Sequence, residues 1–358
     1  MKIIVAFDKF KGSLTAPQAC AIVARELSRH EVIQKPMADG GDGTVNALHA
    51  ALGGEWISKP VTGPLPGMKV TARYLCSGHN AFIEMAQASG LVLLQPEERN
   101  PLLTTTYGTG ELIADALHRG AQHIWLAVGG SATNDGGVGA AMALGWRFLD
   151  ARGESVGLGG GGLERIASIL PPATSFPPVE VLCDVSNPLC GERGAAAIFG
   201  PQKGATPALV ERLDNGLRHL ASLVQADILD VPGSGAAGGL AGGAIAFLNA
   251  RLVPGIETIM RVSQLPAALL GADWVITGEG QFDEQSLHGK VVAGVTAEAR
   301  RNQVKVAVVA GRVRLPESAW RHAGISAAFS IAPAEMPAQE AMRRAPELLT
   351  ATIRQLQW

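Results

Sequence analysis

The feature that most limits what this chain can fold into is a recurring hand-over from a short apolar run to a polar, glycine-rich turn and then to a helical stretch. Residues 3–6 form such a run and lead into Asp8-Lys9-Phe10-Lys11-Gly12-Ser13. Residues 17–27 have helical spacing, 32–37 read as a second strand, and 44–52 as a second helix. The C-terminal part repeats the pattern, with strands at 274–276, 304–309 and 327–331 and helices near 290–301, 316–322 and 338–356. Strands that alternate with helices belong to parallel sheets, so two plus three strands predict one five-stranded parallel sheet in an α/β fold.

The middle differs in character. Residues 61–74 and 81–84 read as antiparallel, and a helix at 109–119 and strands at 123–128 and 180–183 follow. At 358 residues the chain is too long for one ordinary core. The expected division is therefore one domain from residues 1–60 plus 240–358 and an inserted α/β domain over 60–240, with the active site in the cleft between them. With 44 glycines the chain exceeds average usage, and they cluster at turns, where they mark sites instead of linkers. A net charge of −2, without a basic run, argues against nucleic acid as a partner. No apolar run reaches the roughly 18 residues of a membrane span, and Met1-Lys2 leads straight into a strand, so a cytoplasmic location is expected. Cys20, Cys76, Cys183 and Cys190 lack a zinc-binding spacing and read as reduced structural thiols.

The turns carry the chemistry. Residues 129–137, Gly-Gly-Ser-Ala-Thr-Asn-Asp-Gly-Gly, place four glycines, two hydroxyls, an amide and a carboxylate between a strand and a small-residue helix at 138–144. Glycine lets backbone N–H groups approach an anion closely, and the helix start adds partial positive charge. Gly129, Gly130, Ser131, Thr133 and Asn134 are thus candidates for nucleotide phosphates, and Asp135 for a metal beside them. A tight turn with a helix cap is the competing reading. Lys9 and Lys11 follow the first strand and suit an anionic substrate, with Asp8 and Ser13 beside them. Asp39 and Asp42, in Ala38-Asp39-Gly40-Gly41-Asp42-Gly43-Thr44, suit a general base or a metal, although Asp42 or Thr44 also fits as an N-cap.

Further turns extend the set. Thr104 to Glu111 offers hydroxyls and N–H groups, from which Thr106, Gly108 and Thr109 are candidate substrate contacts. Asp184 follows a strand, Lys203 lies in a glycine turn, and Glu279 and Asp283 follow the strand at 274–276. Lys290 opens the next helix. Asp184, Glu279 and Asp283 join Asp135 as carboxylate candidates for a metal, Lys203 is a candidate for nucleotide phosphate, and Lys290 for the catalytic set. Five such turns at strand ends favour a phosphate-handling site over five unrelated caps.

Residues 233–238 match the dinucleotide pattern G-x-G-x-x-G, with Glu257 beyond them, but Pro232 and Pro254 interrupt the strands that the pattern requires. A dehydrogenase and a non-catalytic anion binder are the rival readings. No P-loop, protein-kinase or nucleophile-elbow motif is present.

The turns at 8–13, 38–44, 129–137, 200–206 and 277–290, taken together in order and wording, resemble the class I glycerate kinases over nearly the whole chain. The resemblance implies a flavodoxin-like domain carrying an inserted second α/β domain of restriction-endonuclease-like type. It also implies ATP- and magnesium-dependent phosphorylation of D-glycerate, typically to 2-phosphoglycerate, with the 3-hydroxyl as the alternative acceptor. Glycerate and ATP are then the partners, Mg²⁺ the cofactor, and a homo-oligomer is left open. Two departures stand out: Phe7 replaces the proline more common before the first loop's aspartate, and residues 150–178 are shorter and richer in glycine than usual.

Overall fold

The computed structural model describes residues 1–356 and has a mixed α/β architecture with parallel sheets. The chain forms two compact units, one from Met1–Asp39, Gly43–Gly53 and Gly255 onward, the other from Gly40–Asp42 and Gly54–Pro254.

The main sheet of the first unit has five strands, in chain order Lys2–Phe7, Glu31–Gln34, Trp274–Gly278, Lys305–Ala310 and Ala327–Ser330. In space they run second, first, third, fourth, fifth, and every pairing is parallel. The first strand is buried from Ile3 to Phe7, as a strand covered on both faces must be. Helix Ala16–Glu26 starts at a capping box in which Thr15 and Gln18 exchange hydrogen bonds, and Ala19, Cys20 and Val23 on its inner face join the core with Leu349 and Ile353. The periodicity over 338–356 resolves into two helices, Ala338–Arg343 and Ala345–Gln355. Pro346 explains the break, because it lacks an N–H and its ring obstructs the carbonyl of the preceding turn.

This strand order has a topological switch point between its first and third strands, where successive connections depart in opposite directions. Asp8 and Glu279 are the first residues beyond those two strands.

The second unit is built on six strands in the order Arg251–Val253, Val179–Leu182, His123–Ala127, Asn80–Glu84, Lys69–Ser77, Glu55–Thr62. The first three junctions are parallel and the last two antiparallel. Ile83, Leu126 and Val181 face a core shared with Leu112 and Ile113 of helix Tyr107–His118 and Leu240 and Ala244 of helix Leu240–Leu248. Residues 228–231 form no strand, and the edge strand is Arg251–Val253. Helix Pro207–Leu223 is not among the elements expected above, although Thr206 caps it, Pro207 occupies its first turn and Leu213, Leu217 and Leu220 line its buried side.

Gly278 fixes how closely the central strands approach: a Cβ there would lie 1.8 Å from the carbonyl oxygen of Val309 and 2.8 Å from the Phe7 ring. Gly278→Ala is expected to destabilise the first unit by about 2–4 kcal/mol, because backbone and packed ring must both move. Urea unfolding followed by circular dichroism measures this.

Candidate functional site

In the first unit, the loop after the first strand turns back at once. Asp8 N–H donates to the Gly278 carbonyl at 2.9 Å, which places Asp8 beside the start of the loop that contains Glu279. Asp8 is only 8% exposed, and its Oδ1 accepts from the Lys9 N–H at 2.6 Å. Burial pushes its carboxyl up to about 7. Lys9 opposes that rise, while the negative charges of Asp39 and Glu279 add to it. Glu279 is likewise raised, first by burial and further by Asp283 and Asp39, and its Oε1 is buried with no hydrogen-bond partner. Three carboxylates therefore sense one another at the switch point. Lys9 is half-buried, Lys11 exposed, and Lys290 half-buried with its Nζ donating to Gln285 Oε1 at 3.3 Å.

The next turn is shaped by glycine. Gly43, with φ +86°, takes the N-cap position of helix Thr44–Leu52, so the capping role falls to neither Asp42 nor Thr44. Asp42 is exposed and Asp39 half-buried.

In the second unit, residues 129–137 are held on several sides. Leu91 N–H donates to the Gly130 carbonyl and Ala132 N–H to the Ser89 carbonyl. Thr104 Oγ1 donates to the Ala132 carbonyl at 2.8 Å. Lys203 lies inside, 1% exposed, and donates from Nζ to Ser131 Oγ and to the Thr133 carbonyl, both at 2.7 Å. Residues 233–239 pack behind: Gly136 N–H donates to the Gly238 carbonyl, and a Cβ on Gly238 would meet the Thr133 carbonyl oxygen at 1.9 Å. The Gly-rich pattern at 233–238 thus serves close backbone packing, which removes the observation on which a dinucleotide site rested. Thr133 Oγ1, both amide atoms of Asn134 and Ser234 Oγ are buried there without partners in the chain.

A glycerate kinase family profile matches residues 3–357. A glycerate kinase of Halalkalibacterium halodurans is 45% identical over 99% of this chain and 97% of its own length. The glycerate 2-kinase of Escherichia coli is 44% identical, covering 96% of this chain and 94% of its own. The crystal structure of a candidate glycerate kinase 2 from Salmonella typhimurium LT2 superposes with a TM-score of 0.86 at 45% identity, covering 99% of this chain and 96% of that one. The chain belongs to the glycerate kinase family. It is accordingly an enzyme, a phosphotransferase with an alcohol group as acceptor.

Within that family assignment, the geometry separates working side chains from framework. Asp135 is fully buried, and its Oδ2 accepts from Thr106 N–H at 2.8 Å, Thr106 Oγ1 at 2.9 Å, and Thr105 Oγ1 and Gly139 N–H at 3.3 Å. Its Oδ1 accepts from Gly137 N–H at 3.2 Å. Asp135, a candidate metal ligand from the sequence, here ties two loops together. Thr106 and Thr109 are fully buried and internally bonded, Thr109 to Ser89 at 2.8 Å, and Gly108 has no Cβ because one would lie 1.8 Å from the Thr62 carbonyl oxygen. All three are buried and packed within the chain in this structure. Ser13 Oγ donates to the Met342 carbonyl at 2.7 Å and anchors its loop. Asp283 caps the turn Glu284–Leu287: its carboxylate accepts from Gln281 Nε2 at 2.9 Å and Gln285 N–H at 3.0 Å, which hold its carboxyl below the usual range. Asp184 is exposed on the loop after strand Val179–Leu182. Among the described residues no three His, Cys, Asp or Glu side chains converge as a ready-made metal cage.

The Asp8 shift has a definite sign. Between about pH 4 and 7 the folded chain holds the Asp8 proton that the unfolded chain has released, so this group's contribution to stability falls as pH rises through that window. Asp8→Asn cannot ionise and escapes the loss. The variant is expected to match the parent at pH 4 and to exceed it by roughly 2–4 kcal/mol at pH 8, read from paired urea denaturations.

Proposed function

We propose that the chain transfers the γ-phosphoryl group of ATP, in a magnesium-dependent reaction, to the 2-hydroxyl of D-glycerate, giving 2-phosphoglycerate. The observation that carries this reading is the position of Asp8 and Glu279, the first residues beyond the two strands that flank the switch point of a parallel sheet, within the field of Asp39 and on loops that also bear Lys9, Lys11 and Lys290. Open α/β sheets bind ligands at such points. The 44% identity to a glycerate 2-kinase over nearly the whole chain supports the choice of hydroxyl.

Phosphoryl transfer asks a protein mainly for positioning and for neutralising negative charge. Lys9, Lys11 and Lys290 are suited to the glycerate carboxylate and the transferred group, being cations at the mouth of the sheet. Asp39 is suited to accept the proton of the attacking hydroxyl, with Asp42 as the second candidate on the same turn. In the second unit, the Gly129-Gly130 backbone and the Ser131 hydroxyl are suited to nucleotide phosphate oxygens. Thr133 and Asn134 lie sealed behind them.

Magnesium is held in most phosphoryl-transfer sites by one or two carboxylates together with waters and phosphate oxygens. Glu279, with an unpartnered buried oxygen, and the neighbouring Asp8 fit that donor set, whereas Asp135 and Asp283 have theirs already occupied. Bound there, the ion would screen the phosphate charge that the lysines alone leave unbalanced. Among the described residues no helix is long and apolar enough to cross a membrane, and a cytoplasmic setting with access to ATP suits the reaction.

Incubation with D-glycerate, ATP and MgCl₂ is expected to release ADP in proportion to a phosphate monoester whose ³¹P coupling identifies the 2-position. Asp39→Asn should lower kcat about 10²–10⁴-fold without lowering the melting temperature, and Lys11→Ala should raise the KM for glycerate. Glycerate-independent ADP release, or an unchanged kcat in both Asp39→Asn and Asp42→Asn, would defeat the assignment.

A further inference from the structure

Lys203 is a buried cation at the centre of the second unit's glycine turn, yet it has no route to a ligand. The residue is 1% exposed, and its ammonium donates to two neutral oxygens, Ser131 Oγ and the Thr133 carbonyl, each at 2.7 Å. The charged group facing it is Asp135, whose own oxygens accept five hydrogen bonds from Thr105, Thr106, Gly137 and Gly139. The neighbouring Arg99 guanidinium is directed to the Gln202 carbonyl at 3.4 Å.

An ammonium has donors and no acceptor. Ser131 Oγ must therefore accept from Lys203, and its own hydrogen must point elsewhere. Ser131 is 7% exposed, has no acceptor for that hydrogen among the described residues, and sits on backbone pinned on both sides by Leu91 and Ser89. A hydroxyl whose rotation is fixed in this way is a pre-oriented donor, and polarisation by the cation behind it strengthens what it offers.

We infer that Lys203 is a positioning residue that never touches the ligand, and that it acts by fixing the Ser131 hydroxyl as a donor to a phosphate oxygen of the nucleotide. The inference rests on the nucleotide-dependent reading of the site and adds a relay within it. Burial draws the Lys203 amine down to about 7, with Asp135 opposing the shift. Above that pH the neutral amine has a lone pair, so Ser131 can turn its hydrogen inward and the relay weakens.

The test is calorimetric titration of the full-length chain with MgADP. Ser131→Ala and Lys203→Met should each weaken binding about tenfold, as loss of a charge-assisted hydrogen bond does, and the double variant should be no weaker than either single one. Ser131→Thr, which keeps the hydroxyl, should restore most of the affinity. The ratio of parent to Ser131→Ala affinity should shrink as pH rises from 6 to 8.5, a readout independent of the ligand's own ionisation and of whether Lys203→Met folds. Affinity within twofold of the parent in folded Ser131→Ala, or a ratio that does not change with pH, overturns the relay. Multiplying effects in the double variant overturn it equally. If the parent binds no MgADP while still phosphorylating glycerate from another donor, the nucleotide reading falls instead, and the relay with it.

Discussion

A carboxylate taken wholly out of water has to be surrounded by donors, and the second unit is organised around one that is. Asp135 draws five hydrogen bonds from residues 105–106 and 137–139, two segments that are distant in sequence. That knot sets helix Tyr107–His118 against helix Val138–Ala143, and glycine makes the approach feasible: a Cβ on Gly110 would lie 2.3 Å from the Ala140 carbonyl oxygen. Isolated, such a buried charge would cost several kcal/mol. Enclosed by donors, with the Lys203 cation also within its field, it becomes a fixed reference for the turn at 129–134.

In the first unit the buried carboxylates have fewer donors. Asp8 and Glu279 are also drawn out of water, but Asp8 has one recorded backbone donor and Glu279 keeps a buried oxygen unpartnered. Burial raises all three carboxyls, Asp135 included; Lys9 opposes the rise at Asp8, and Ser286 and Lys290 oppose it at Glu279, while the charge of Asp39 adds to both. A folded chain tolerates this only where packing elsewhere is strong, and the core of Ile3, Val5, Phe7, Ile276 and Val309 directly beneath supplies it. The two loops are thus distinguished by satisfaction of their charges, not by composition. Carboxylates left short of partners are poised to gain from a ligand, and those fully bonded are not.

Much of this was legible in sequence because it is local. Apolar runs bounded by glycine turns located all five strands of the parallel sheet, and the polar residues after them mark its carboxyl edge. The helix Pro207–Leu223 went unread in the sequence, although Leu213, Leu217 and Leu220 recur along its buried side at helical spacing and the Thr206-Pro207 start signal was available. The break at Pro346 was readable from proline chemistry and masked by the strong spacing on either side of it. Long-range pairing was beyond reach. Nothing in the wording of residues 104–109 says that its hydroxyls face Asp135 and Ser89 instead of solvent.

The same limit explains why hydroxyls in one motif divide so differently. Ser131 and Thr133 are two residues apart in an identical glycine setting, and both fit a phosphate-binding turn. What separates them is a lysine 72 positions beyond Ser131 that enters from behind. It takes the Ser131 oxygen and the Thr133 carbonyl, but not the Thr133 hydroxyl, which remains enclosed and without a partner. Because an ammonium can only donate, Ser131 Oγ and the Thr133 carbonyl must both accept from it. A glycine turn specifies where an anion can approach, and a buried donor behind the turn specifies which group will meet it.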